Sequence, residues 1–105
     1  MIRYTTPTIT LTIEKTILPE GAEVFVTLQQ GIHKLTKNNP TVTRGEKNTV
    51  VALELTQVES AAFESKAPAF VQVNWITADG TRSATKVASV VVFDNLLAEV
   101  VEYGG

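Results

Sequence analysis

The stretch from Ala69 to Phe93, AFVQVNWITADGTRSATKVASVVVF, constrains the fold more than any other part of the chain. Val71, Val73 and Trp75 alternate with Gln72, Asn74 and Ile76, and Asp79-Gly80 follows as a dipeptide that accepts positive φ. The second run climbs from Ser83-Ala84-Thr85-Lys86 into Val87, Val90, Val91, Val92 and Phe93. A period near two, β-branched flanks and a turn between them predict a β-hairpin at the centre of a sheet.

The same two-residue period recurs upstream. Between Tyr4 and Ile13, Ile9, Leu11 and Ile13 alternate with Thr8, Thr10 and Thr12, the pattern of a strand with one buried face. Pro7 removes a ladder donor, which predicts an edge strand or one that begins after it. Glu14 to Ala22, with Pro19 and Gly21, reads as a connection. In Glu23 to Gln29, Val24, Val26 and Leu28 alternate with Phe25 and Thr27, and Phe25 predicts partial cover on the second face as well. Ile32 to Lys37 forms a short polar strand paired with it through Gln29-Gln30-Gly31, its lysines suited to an exposed edge. Thr41 to Arg44 is a fourth short strand, and Thr49 to Leu55 alternates again through Val51, Leu53 and Leu55.

At Thr56 the pattern changes. Thr56 and Glu59 stand in capping-box spacing, and Gln57 to Lys66 is rich in helix formers, with Val58, Ala62 and Phe63 at one-face spacing. This predicts a short helix with Lys66 in its last turn, stopped by Pro68 and crossing from one sheet to the other. After the hairpin, Asp94-Asn95 could cap a second helical turn, while Val100 and Val101 favour a strand. Leu96, Leu97, Val100, Val101 and Tyr103 crowd this terminal piece, and burying two or three of them is worth several kcal/mol at ~25 cal/mol per Å². The tail 94–105 therefore docks on its own domain or completes a neighbour.

Six to eight short strands, one short helix and turns every ~8 to 12 residues predict a single all-β domain over 1–105. The expected architecture is an antiparallel immunoglobulin-like β-sandwich, with a small barrel as the alternative. At 105 residues the chain can bury about 60 to 70% of its unfolded surface in one core. Its 44% hydrophobic and 19% charged residues are globular, not disordered, in character. Cysteine is missing, so packing alone must hold the domain, and Trp75 is placed to serve as the core tryptophan of such a sandwich.

Several function classes lose support from composition. Nine basic and eleven acidic residues, spread without a cluster, offer no footprint for a nucleic-acid backbone. No segment approaches the ~18 apolar residues of a membrane span, and MIRYTTPTIT lacks the pattern of a signal peptide, so synthesis without Sec export is expected. His33 is the single histidine, no metal-ligand spacing surrounds it, and neither metal nor cofactor is expected. A Ser-His-Asp device could be composed from His33, one of Ser60, Ser65, Ser83 or Ser89, and Asp79 or Asp94, but no local motif selects among them. The expectation is a protein that is not an enzyme.

Aromatic residues leave one opening. Phe70 and Trp75 fall on opposite faces of one strand, so one of them points out of the core and becomes a candidate interface residue. A carbohydrate-binding module would present two or three such rings together, a rival to ordinary core packing.

The order of pieces carries a resemblance. An opening TPTITLTI, a strand EVFVTLQQG, then VVALELTQVESAAF, VQVNWITADGTRSAT and a closing VVVFDNLLAEVVEYG are similar to small proteins encoded in prophages of Gram-positive bacteria. The layout resembles the N-terminal domain of siphophage baseplate upper proteins. The resemblance spans nearly the whole chain and brings no catalytic motif. It implies a virion- or tail-associated structural protein acting by contact with itself or with other virion components. Those baseplate proteins continue into long receptor-side or trimerising regions, so a small subunit or adaptor fits better than a receptor binder. Phe70, Trp75, Leu96, Leu97, Val100, Val101 and Tyr103 are the candidate interface residues.

Overall fold

The computed structural model describes residues 1–102, among which eight strands and one helix are found. Strand β1 (Thr8–Ile13) pairs antiparallel with β5 (Thr49–Glu54), which pairs antiparallel with β4 (Thr41–Arg44), so one sheet runs β1-β5-β4. The other runs β3 (His33–Lys37), β2 (Glu23–Gln30), β6 (Ala69–Ile76), with β7 (Arg82–Ala84) and β8 (Ala88–Val90) both on the far side of β6. The chain changes sheet between β1 and β2, between β3 and β4, and between β5 and β6. That is the cross-over pattern of an immunoglobulin-like β-sandwich.

Burial follows the alternation read from the sequence. Val24, Val26 and Leu28 from one sheet meet Val51, Leu53 and Leu55 from the other, with Val71 and Val73 beside them. Phe63, Leu18 and Val92 close the ends of this core. Strand β1 is an edge and begins after Pro7, whose carbonyl still accepts from Leu55 N–H at 2.9 Å. Phe25 is half-buried on the outer face of β2, in a shallow depression with Asn74, Ile76 and Arg82.

The β2-β3 hairpin turns through Gly31-Ile32, where Gly31 has φ +59° and Ile32 is fully exposed. Glycine at the first loop position with positive φ is what a two-residue type II′ turn requires. The β6-β7 loop is longer. Thr77 N–H bonds Thr81 C=O at 2.9 Å, Gly80 N–H bonds Thr77 C=O at 2.9 Å, and Gly80 alone of the Asp79-Gly80 pair takes positive φ, +88°. Asp79 instead accepts from Thr77 Oγ1 and, at 3.0 Å, from Thr81 N–H.

Four expectations are corrected. The second half of the central hairpin is not one strand: Asn74 lies opposite Ala84, yet Phe70 lies opposite Ser89, so the returning chain carries one extra residue. Thr85 manages this bulge, its N–H bonding Val73 C=O at 2.9 Å and its Oγ1 accepting from Val73 N–H at 3.1 Å. Beyond Val90 the strand ends, and Phe93 bridges Ile2 in a parallel pair, with Arg3 N–H to Phe93 C=O at 2.9 Å.

The helix α1 (Gln57–Ala61) is shorter than the helix-forming composition predicts, and Lys66 lies outside it. Both halves of the capping box form: Glu59 N–H to Thr56 Oγ1 at 3.1 Å and Thr56 N–H to Glu59 Oε1 at 2.8 Å. The apolar face differs, because Ser60 is the buried helical residue while Val58 and Ala62 are exposed. Phe63, three residues after buried Ser60, fills the core while its N–H still bonds Ser60 C=O at 3.3 Å, and Gln30 then grips the following loop. Its Nε2 donates to the carbonyls of Glu64 and Ala67 and its Oε1 accepts from Glu64 N–H, each at 2.7 Å. Lys37, expected as an exposed edge guard, is half-buried and pairs with Glu59 at 2.9 Å.

Candidate interaction surface

The candidate residues separate into three places. Phe70 projects from the outer face of the β2-β6 sheet and is exposed, the outward member of the pair it forms with Trp75. Trp75 follows Val71 and Val73 on the core side but is only half-buried, because it stands at an open flank of the sandwich. There the edges of β1 and β7-β8 leave a groove lined by Leu11, Ile13, Trp75, Ala84, Val87 and Ala88.

The tail is the third place. Leu96, Leu97, Val100 and Val101 are all exposed, Leu96 completely. Tyr103 lies outside the described residues. What holds the segment is polar. Gln57 Nε2 donates to Val101 C=O at 2.7 Å, and Gln57 Oε1 accepts from Val101 N–H at 2.8 Å, so one amide side chain reads the backbone as a strand neighbour would. At its base, Asp94 pairs with Arg3 at 3.1 Å and accepts from Ser65 Oγ at 2.7 Å, while Asn95 Nδ2 donates to Arg3 C=O at 3.1 Å. The Ser65 hydroxyl first, and Arg3 second, hold the Asp94 carboxyl below its ordinary range.

Polar chemistry elsewhere is structural in its contacts. Burial raises the Glu59 pKa, but hydrogen bonds from Thr56 N–H and Lys37, with the Lys37 charge, outweigh it and leave the carboxyl lowered. Asp79 is lowered by its bonds from Thr77 and Thr81. Ser60 Oγ donates to Thr5 C=O at 2.7 Å and accepts from Thr5 N–H at 3.1 Å, tying α1 to the entry of β1. His33 packs its ring edge-on against Phe63 with centroids 4.9 Å apart. The shallow depression beside it is lined by Gln30, Ala62, Glu64 and Lys66, and Glu64 pairs with Lys66 at 3.3 Å. Among the described residues no group of three or more His, Cys, Asp or Glu is placed to hold a metal ion, and no helix is long and apolar enough to cross a membrane.

Comparison with protein-family models, with curated proteins and with solved structures gives no match.

The sequence marked the apolar tail but missed its anchors. Gln57 carries no signal of its own until Val101 is placed beside it. The run of uncharged residues in TITLTI was visible, yet its meaning depends on knowing that this edge stays open.

Proposed function

We propose that this protein is a non-enzymatic structural subunit of a phage or prophage virion, associated with the tail or baseplate, which acts through protein-protein contacts. The observation that carries the reading is the tail. Four large apolar side chains stand exposed on a segment fastened by main-chain and polar bonds, while the sandwich core closes without them. Exposed apolar groups gathered in one segment mark a docking element more often than a solvated one. The resemblance of the sequence in layout to siphophage baseplate domains supports the virion setting, and synthesis in the bacterial cytoplasm followed by incorporation into particles fits it.

Light scattering on the full chain and on a chain ending at Asn95, alone and mixed with tail and baseplate components, tests this. The full chain is expected to associate and the shortened one to lose at least part of that association while keeping its fold. Two monomers of equal behaviour, neither binding a virion component, would count decisively against the reading.

A further inference from the structure

The sandwich has four lateral edges, and three of them are guarded. Strand β3 shows exposed Lys34; β4 is four residues long and its Arg44 reaches the carbonyls of Leu18 and Pro19 at 2.6 and 3.0 Å; β7 is three residues long and begins with exposed Arg82. Charge and shortness are the ordinary devices that keep sheet edges from pairing. Strand β1 has neither. Its six residues, TITLTI, carry no charge, and Pro7 stands just before them instead of among them.

The phase of its hydrogen bonds decides what this edge offers. Pro7 C=O takes the Leu55 N–H, and in an antiparallel ladder bonded and non-bonded positions alternate. Ile9, Leu11 and Ile13 therefore spend their main-chain groups on β5, opposite Leu53, Val51 and Thr49. The N–H and C=O groups of Thr8, Thr10 and Thr12 point away from β5, and none of the main-chain bonds between described residues on that flank involves them. Their side chains are exposed, whereas Ile9 and Leu11 on the inner face are only half-buried, Leu11 lining the groove with Trp75.

We propose that this edge is a self-association surface, on which β1 of a second copy adds antiparallel across a two-fold axis through Thr10. A two-fold axis normal to the sheet maps outer face onto outer face, so only registers that pair like with like are allowed. With Thr10 opposite Thr10, Thr8 falls opposite Thr12 and Ile9 opposite Leu11. Every outward-directed N–H and C=O of the three threonines then meets its complement. The outer face gains a threonine ladder, and the inner face gains cover for Ile9 and Leu11 at the open flank. No charged side chain of β1 faces another. The second copy is selected over an unrelated strand because it supplies an uncharged threonine run with its free main-chain groups already in phase.

The contact is separate from the tail, so the two can fail independently. Proline at an outward-directed edge position removes only a donor the monomer does not use, so Thr10→Pro keeps the fold and blocks the pair. Sedimentation or light scattering on the full chain is expected to show twice the 11.4 kDa monomer mass, with Thr10→Pro and Thr10→Lys weakening association at least about tenfold and leaving circular dichroism unchanged. Since the chain lacks cysteine, Thr10→Cys introduces a single thiol that should oxidise to a disulfide dimer, because narrow antiparallel pairs place Cα atoms about 5.5 Å apart. Thr12→Cys should not cross-link to itself. A native chain that stays monomeric at roughly 100 µM, a dimer indifferent to Thr10→Pro, or Thr12→Cys cross-linking as readily as Thr10→Cys would each overturn the inference. Association that is lost with the tail but survives Thr10→Pro would leave the tail reading standing and remove this one.

Discussion

Replacing Thr49 by valine should damage this protein more than replacing it by serine, although valine is the better shape match. Thr49 is completely buried on β5, where its Oγ1 donates to Thr16 C=O at 2.8 Å and accepts from Leu18 N–H at 3.1 Å. These two bonds fix the connection between β1 and β2 and seat Leu18, itself buried, in the core. Valine fills the space and gains slightly in sheet preference, yet it strands two main-chain groups. A buried unpaired group costs about 1–3 kcal/mol. The Thr16 carbonyl belongs to a half-exposed residue and can recover a water, so the Leu18 N–H dominates and the net loss should be about 2 kcal/mol. Against a total of about 5–15 kcal/mol this is a large fraction, lowering the melting temperature by about 8–16 °C. Thr49→Ser keeps both bonds and loses one methyl, for about 1 kcal/mol. Denaturant titration followed by Trp75 fluorescence and by circular dichroism reads both variants. A valine variant as stable as the serine variant would refute the argument, because sheet preference and shape would then have outweighed the hydroxyl's bonds.

Three carboxyls, Glu59, Asp79 and Asp94, have folded-state pKa values below their ordinary 4.5, 3.8 and 3.8. Their contribution is thus present above those ordinary values and is lost as pH falls through the lowered ones; acid titration of stability should show this loss, reduced in Glu59→Gln. Thr56→Ala removes one half of the capping box and should cost about 1 kcal/mol by denaturant titration. Phe70→Ala should leave stability within about 0.5 kcal/mol of the parent, while Trp75→Ala, on the core side, should cost about 2 kcal/mol or more; equal effects would contradict the assigned faces.

Strand pairing was legible wherever burial is one-sided. Ile9-Leu11-Ile13, Val24-Val26-Leu28 and Val51-Leu53-Leu55 each repeat on a period of two, and the sandwich needs that repeat on its inner faces. The turn at Gly80 was legible for a different reason, since positive φ restricts the residue locally, whereas at Gly31 only the glycine was: β2 runs on through Gln30 and the loop is Gly31-Ile32, not Gln29-Gln30-Gly31. What stayed hidden depends on partners distant in sequence. The bulge at Thr85 exists because its hydroxyl can replace a ladder acceptor for Val73, and a threonine in a polar run gives no sign of that. The helix gives way to a loop after Phe63, and what holds that loop is Gln30, on another strand. Pairing of Ile2 with Phe93 spans nearly the whole chain and uses main-chain groups.

The candidate interface residues differ in what their exposure means. Phe70 is the exposed ring on a face it shares with Thr27, Gln29, Gln72 and Asn74 and, farther along, with half-buried Phe25 and Ile76, and scattered apolar residues on a sheet face are normal. The tail groups four exposed apolar side chains within a six-residue span, from Leu96 to Val101, and Gln57 fastens it through the Val101 main chain while Leu96 stays fully exposed and the other three about half so. That separation of backbone and side-chain roles is what a docking element requires: the segment is presented in one place before a partner arrives, so less ordering entropy is lost on binding. The β1 edge differs again, since it would act through main-chain groups whose phase the fold already sets. A two-fold contact there closes on itself and ends at a dimer. Tail residues take no part in the proposed strand pairing, although Val100 shares a shallow depression with Thr6 and Glu54 near the start of β1, so each dimer would carry two identical apolar segments. In such an assembly the second docking event becomes intramolecular, and its gain depends on the spacing of the two sites and not on any new contact.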